Sequence, residues 1–245
     1  MMRLTTPGNL RLQQSRELSV NYGGSEANVA ISVASFGGQV DYVTRLPENP
    51  LGEACIAELR SHNIGTDHIL TGGKRLGTYY MEKAAAMRNS RVMFGSEGEY
   101  AMLFGLKAPG FKATSATDRY DTAAYETFCR EIAREVPQCR YIYIALRNVM
   151  NSEHHTFAGI LYADGTMYHT RVYDINNVID CVGVGDAFCG ALLYAQSAWT
   201  DNQKRVDFST AASVLKNTIS GDYNMVKVSE VEELMARNEK GELER

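Results

Sequence analysis

The stretch best equipped for chemistry is Asp180 to Ala191, DCVGVGDAFCGA. A β-rich approach, VYDINNVID, runs into Gly183-Val184-Gly185-Asp186, and a helix is expected to follow at once. Two glycines let the backbone turn so that successive N–H groups point one way. The helix start adds unsatisfied N–H donors and the positive end of its dipole. Gly183, Val184 and Gly185 would together cradle an anion such as a phosphate. Asp186 stands inside that cradle. A carboxylate repels a phosphate that is only to be held, but it suits a base taking a proton from a hydroxyl that attacks phosphorus. The cradle would then stabilise charge on the transferred group. Spacing alone equally allows an acidic first-turn residue with a structural role. Two rival phosphate motifs fail. The dinucleotide fingerprint needs glycine where Phe188 stands, and no G-x-x-x-x-G-K-[ST] occurs.

Alternating helices and strands would have to position this loop. Glu26 to Phe36 is small and apolar on nearly every face and ends at Gly37-Gly38, as a helix packed closely on a sheet does. Val40 to Thr44 is a short strand candidate. Asn49-Pro50 reads as N-cap and first residue of a helix through about Arg60. Arg140 to Leu146, RYIYIAL, has the β-branched and aromatic content of a buried strand. Asp164-Gly165 is a hairpin turn between Phe157–Tyr162 and Thr166–Val172. Helices are expected over Ala187 to about Trp199, Lys204 to about Asn217, and Ser229 to Arg237. Ser229 and Glu232 have the spacing of a capping box for the last. The mixture argues for an α/β fold with an added antiparallel element.

Composition narrows the function. The 245 residues are 44% hydrophobic and 22% charged, an ordinary globular balance. Twenty-five basic against twenty-nine acidic side chains give a net charge of −4, which supports neither nucleic-acid nor anionic-membrane binding. No apolar run approaches the ~20 residues of a membrane span, and the first residues, MMRLTTPGNLRLQQSRE, hold no secretory h-region. A cytoplasmic location is expected. Five scattered cysteines without a C-x-x-C pair read as reduced, mostly buried thiols. The five histidines show no metal or catalytic spacing, and His154-His155 reads as loop.

DCVGVGDAFCGALLYA resembles the C-terminal signature of the PfkB/ribokinase family of carbohydrate kinases, usually D-T-x-G-A-G-D-x-F. Gly23-Gly24-Ser25-Glu26-Ala27-Asn28-Val29-Ala30, then Gly37 and YVTRLPENPLG, resembles its N-terminal signature. RLTTPGN, GTYYMEKAAAMRNSRVM and LKNTISGDYN are similar to one branch, the 2-keto-3-deoxygluconate kinases. The resemblance covers nearly the whole chain as one domain, in two blocks. It implies a three-layer α/β/α sandwich, ribokinase-like, with a small β-sheet lid drawn from about 1–22 and 76–94. It implies ATP and magnesium as cofactors, and a sugar acid phosphorylated on its primary hydroxyl. A fructokinase or other hexose kinase is the alternative within the family.

Carried over by residue, the resemblance makes Asp186 the general base and the amides of Gly183, Val184 and Gly185 the anion hole. Gly23, Gly24, Asn28, Tyr79, Arg88 and Asp222 would meet the substrate, Arg88 through a sugar-acid carboxylate. Leu146, Arg147, Ala211, Ala212 and Lys216 would lie on the nucleotide side. Glu99 would organise magnesium indirectly, in an element where Ser96 replaces the usual Asn. Read without the family, Asn28 could equally steady its helix start, Tyr79 or Tyr80 could be packing, Arg88 a solvated charge, Arg147 a strand end, Glu99 a helix-start charge and Lys216 an exposed helix residue. Lid edges in the family pair between subunits, so a homo-oligomer is expected.

The sequence departs from the family in two places. It begins after the opening strand of family members. More seriously, RNSRVMF should be followed by a sugar-acid arginine and several central strands and helices, yet GSEGEYAMLFGLKAPG follows directly. Losing interior strands would leave buried backbone groups unpaired, at about 1–3 kcal/mol each. Either residues belong between Phe94 and Gly95 that the written chain lacks, which is the expectation, or the chain is internally deleted. A genuine deletion would leave a non-catalytic sugar-binding remnant.

Overall fold

The computed structural model describes residues 2–5, 13, 15–17, 19–73 and 90–237. Its centre is a five-stranded sheet. β5 (Val92–Ser96) runs parallel to β6 (Tyr141–Val149), which pairs antiparallel with β7 (His155–Ala163). Beyond β7 lie β8 (Thr166–His169) and β9 (Tyr173–Ile175), one at each end of its free edge. Asp164 and Gly165 both take positive φ, 49° and 82°, so the β7–β8 hairpin turns through the mirror-image geometry that matches strand twist.

β6 and β7 are buried on both sides, which explains their unbroken apolar runs. On one face Tyr143, Phe157 and Leu161 pack with α5 (Val184–Ala198), α6 (Asn202–Lys216) and α7 (Val228–Ala236). On the other, Ile142, Ile144, Leu146 and Ile160 meet α3 (Glu97–Phe104) and α4 (Thr122–Glu135). The three-layer α/β/α arrangement follows from this period-two alternation.

A third cluster joins α1 (Ser25–Ser35) to α2 (Pro50–Ser61), with Ala27, Ile31, Leu59 and Ile64 at its centre. Asn49 caps α2 as expected, accepting from the N–H groups of Leu51 and Gly52. Behind these helices β3 (Thr44–Leu46) pairs in parallel with β4 (Ile69–Thr71). The strand expected over 40–44 is displaced toward 44–46, leaving only a bridge between Asp41 and Gly65 before it. β1 (Met2–Thr5) and β2 (Ser19–Tyr22) form a separate antiparallel ribbon.

Among the described residues, no ladder joins β3–β4 to the five-stranded sheet, and β5 forms its edge. Phe94 and Gly95 sit side by side inside β5, opposite Tyr143 and Ile144. The sheet is therefore split beside the Phe94–Gly95 junction.

Two local expectations change. α7 starts at Val228 instead of Ser229, because the Glu230 carboxylate accepts the Lys227 N–H at 2.9 Å. Glu232, expected in a capping box with Ser229, instead meets Lys204 at 3.2 Å. His154-His155 is not a free loop. His155 opens β7, buried, and His154 Nε2 lies 2.6 Å from Asp174. All five thiols are free; Cys55 and Cys129 are buried and Cys181 exposed.

Candidate active site

Two helix N-termini converge on Asp186. α1 begins after Gly24 and α5 after Gly183, and neither N-cap is satisfied by a side chain. The first-turn N–H groups of both helices are therefore left without a side-chain cap acceptor. The helices cross closely because residue 190 is glycine: a Cβ there would stand 2.5 Å from that of Ser32. Ser32 is held in turn by Asn224, whose Nδ2 donates to its hydroxyl at 3.0 Å.

Asp186 lies in the first turn of α5, and the Asn28 amide donates to its Oδ2 at 2.8 Å. Burial pushes the Asp186 carboxyl above the ordinary carboxylate range. Hydrogen bonds from Asn28 and Ser25 pull it back, while the charges of Asp222 and Glu26 add to the rise. Asn28 is itself buried, and its Oδ1 has no hydrogen-bond partner. That acceptor suits a ligand hydroxyl.

Gly23 brings the backbone of the β2–α1 turn against Asp222, since a Cβ at this position would lie 2.7 Å from its Oδ2. Asp180 ties the loop before α5 to the loop after α6. Its Oδ1 accepts from the Val182 N–H and its Oδ2 from the Gly221 N–H, both at 2.9 Å. The N–H groups of Ile179 and Asp180 donate to the Asn217 carbonyl, and the Ser213 hydroxyl to that of Val184. Gly183, Val184, Gly185, Asp186, Gly23, Gly24, Asn28 and Asp222 are thus brought together.

The residues expected on the nucleotide side are not gathered in the same way. Leu146 packs on one face of the central sheet and Ala211 and Ala212 on the other, all fully buried. Their side chains cannot share one pocket, because β6 and β7 stand between them. Lys216 is no surface residue: it is 0% exposed, and its Nζ donates to the Ile219 carbonyl at 3.0 Å. Arg147 alone of this group is exposed. Tyr79 and Arg88 lie outside the described residues.

Glu99 takes up the helix-start role that its position allowed. Its carboxylate accepts from the Ser96 N–H at 2.7 Å and hydroxyl at 2.9 Å, closing a capping box on α3. No group of three metal-ligating side chains occurs among the described residues. A magnesium ion at this site would be held chiefly by nucleotide phosphates and water. Among the described residues, no helix is long and apolar enough to cross a membrane.

The sequence reading missed Asp180 and Ser25 as parts of this site. The signals were present: an Asp two residues before a turn N–H, and a hydroxyl three residues before Asn28 on one helix face.

Residues 4–104 match the family described as pfkB family carbohydrate kinase. A 2-dehydro-3-deoxygalactonokinase of Haloferax volcanii is 24% identical, over 98% of this chain and 96% of the relative. That alignment runs over 305 residues and this chain has 245, so at least 60 positions are filled by the relative alone. A 2-dehydro-3-deoxygluconokinase structure from Thermotoga maritima superposes with a TM-score of 0.84 at 24% identity, covering 97% of each chain. An E. coli ribokinase-like structure in complex with ATP and Mg2+ gives 0.65 at 12% identity, covering 94% of each. The structural likenesses establish the ribokinase-like fold.

Proposed function

We propose that this chain is a carbohydrate kinase of the pfkB family, whose model matches residues 4–104, and that it transfers a phosphoryl group from ATP to the primary hydroxyl of a 2-keto-3-deoxy sugar acid. The observation that carries the reading is Asp186, a partly buried carboxylate at the meeting point of two uncapped helix N-termini. In this reading Asp186 draws the proton from the attacking hydroxyl. The N–H groups of Gly183, Val184 and Gly185 meet the charge that develops on the transferred group. Gly23, Gly24, Asn28 and Asp222 line the sugar side, and Asn28 Oδ1 accepts a substrate hydroxyl. Arg88 is assigned to the sugar-acid carboxylate, and Arg147 to the nucleotide side. Magnesium-bound ATP supplies the phosphoryl group and the cation that offsets its charge against the nearby carboxylates. The names of the Haloferax and Thermotoga relatives support a 2-keto-3-deoxy acid over a hexose.

The test is ADP release coupled to NADH oxidation, with 2-keto-3-deoxygluconate, 2-keto-3-deoxygalactonate and fructose compared. Turnover of either keto acid above fructose, abolished in Asp186→Asn, is the expected result. Equal or faster turnover of fructose removes the sugar-acid assignment.

A second reading rests on the split sheet beside β5. If Phe94 and Gly95 are truly adjacent in the molecule, the chain is a sugar-binding remnant without phosphoryl transfer. An intact mass near 27.2 kDa supports that reading, and a markedly larger mass supports a complete kinase.

A further inference from the structure

We infer that Asn28 and Ser25, both on the first turn of α1, are positioning residues that clamp the Asp186 carboxylate across the α1–α5 crossing. The inference rests on the reading of Asp186 as the base and adds how that base is held.

Four observations bear on it. The Asn28 Nδ2 reaches Asp186 Oδ2 at 2.8 Å, over a sequence separation of 158 residues. The Asn28 amide is buried with Oδ1 unpartnered, and among the described residues Asp186 is its only hydrogen-bond partner and fixes which way it faces. Turning the amide over would set Oδ1 against a carboxylate oxygen, which is repulsive. A side-chain hydrogen bond from Ser25, at the start of the same helix, acts in the same direction and lowers the Asp186 carboxyl. The distance between these donors and Asp186 is set by the Gly190–Ser32 contact, which leaves no room for the helices to slide.

The clamp has a chemical purpose. A carboxylate that must accept a proton from an alcohol needs one oxygen free and aimed. Engaging one oxygen with a neutral donor leaves the other for the hydroxyl. A lysine or arginine in the same place would neutralise the base. The charged and titratable groups around Asp186 are Glu26 on α1, Asp222 on the loop after α6, and Cys189 on α5. Both carboxylates oppose ionisation of Asp186, so the two neutral donors are what favour its charged form.

The experiment reads the carboxyl directly and does not require turnover. Protein labelled with 13C at aspartate carboxyls is titrated by NMR, and the Asp186 signal is assigned by its loss in Asp186→Asn. Asn28→Leu should raise the Asp186 midpoint by about half a pH unit or more. Ser25→Ala, at an exposed position, should raise it by a smaller step. In steady-state kinetics the acid limb of kcat should move in the same direction, with kcat falling roughly 10- to 100-fold in Asn28→Leu. Unchanged midpoints in both variants overturn the clamp. Retained turnover in Asp186→Asn instead overturns the base assignment, which is a separate result.

Discussion

A Cβ on Gly183 would stand 2.1 Å from the backbone carbonyl oxygen of Asp222. The loop before α5 and the loop after α6 are thus in backbone contact, and Gly183 also holds φ at 78°. Two requirements meet at one residue, the left-handed conformation and the missing side chain. Gly183→Ala should destabilise the fold by about 2–4 kcal/mol and abolish turnover. Gly185 is the control. A Cβ there meets only the Phe94 ring, at 3.9 Å. Gly185→Ala should leave the melting temperature within a degree or two of the parent. Equal melting temperatures for the two variants would show that the loops are not locked together here.

The Asp180 carboxylate binds the same two loops through the N–H groups of Val182 and Gly221. Asp180→Ala leaves both donors without this acceptor. A loss of about 1–3 kcal/mol is expected in urea unfolding, and the KM for substrate should rise because Asp222 follows directly in the chain. Asp180→Asn keeps one acceptor oxygen and should lose less. Equal losses in the two variants would count against the double acceptor role.

Asp186 gives a pH-dependent prediction with a definite sign. Its carboxyl sits above its unfolded value because of burial, so the folded state holds the proton more tightly. The stability associated with that proton is present in acid and declines as pH rises through the interval between the unfolded and folded values. Asp186→Asn removes the cost of the buried charge. Its melting temperature should exceed the parent's at pH 7, with the difference shrinking toward about pH 4, the ordinary Asp range. Activity has the opposite sense: the parent should gain turnover as pH rises through the raised Asp186 value. Melting curves at pH 4 to 8 check the first statement and a pH–rate profile the second. A variant less stable than the parent at pH 7 would contradict the burial argument.

Where the signal was local, sequence and structure agree. Asn49-Pro50 opens α2, Asp164-Gly165 turns the β7–β8 hairpin, and RYIYIAL lies in β6. Each needs only its own few residues. The glycine turn that starts α5, with Asp186 in its first turn, was legible for the same reason. What escaped depends on the partner across the fold. Lys216 was expected outside, but α6 is covered on nearly every side and its lysine turns inward to the Ile219 carbonyl. Leu146 and Ala211 were both read as nucleotide-side residues, but Leu146 leaves β6 toward one helix layer while Ala211 sits on α6 in the other, with the sheet between them. Ser229 and Glu232 have capping-box spacing, yet Glu230 reaches the Lys227 N–H one residue earlier and Lys204 draws Glu232 away. Asn28 was read as a sugar contact; that its amide holds Asp186 follows only from the crossing of α1 and α5.

The split sheet makes the last prediction, concerning β5. Its N–H and C=O groups on one edge pair with β6, and no described strand covers the other edge. Across the break, exposed apolar side chains stand next to β3 and within β4: Val43 at 76% and Leu70 at 67%. An uncovered edge and exposed apolar residues are what remain when interior strands are removed from a sheet. In a molecule of 27.2 kDa, amide hydrogens along β5 should exchange with solvent orders of magnitude faster than those of β6 and β7, which are paired on both sides over much of their length. Such a molecule should also self-associate as concentration rises, because the open edge can pair with a second copy. A molecule carrying the 60 or more positions found in the Haloferax relative should protect β5 as well as β6. Slow β5 exchange at a mass of 27.2 kDa would refute the open edge, and only there does the catalytic reading survive without the additional residues.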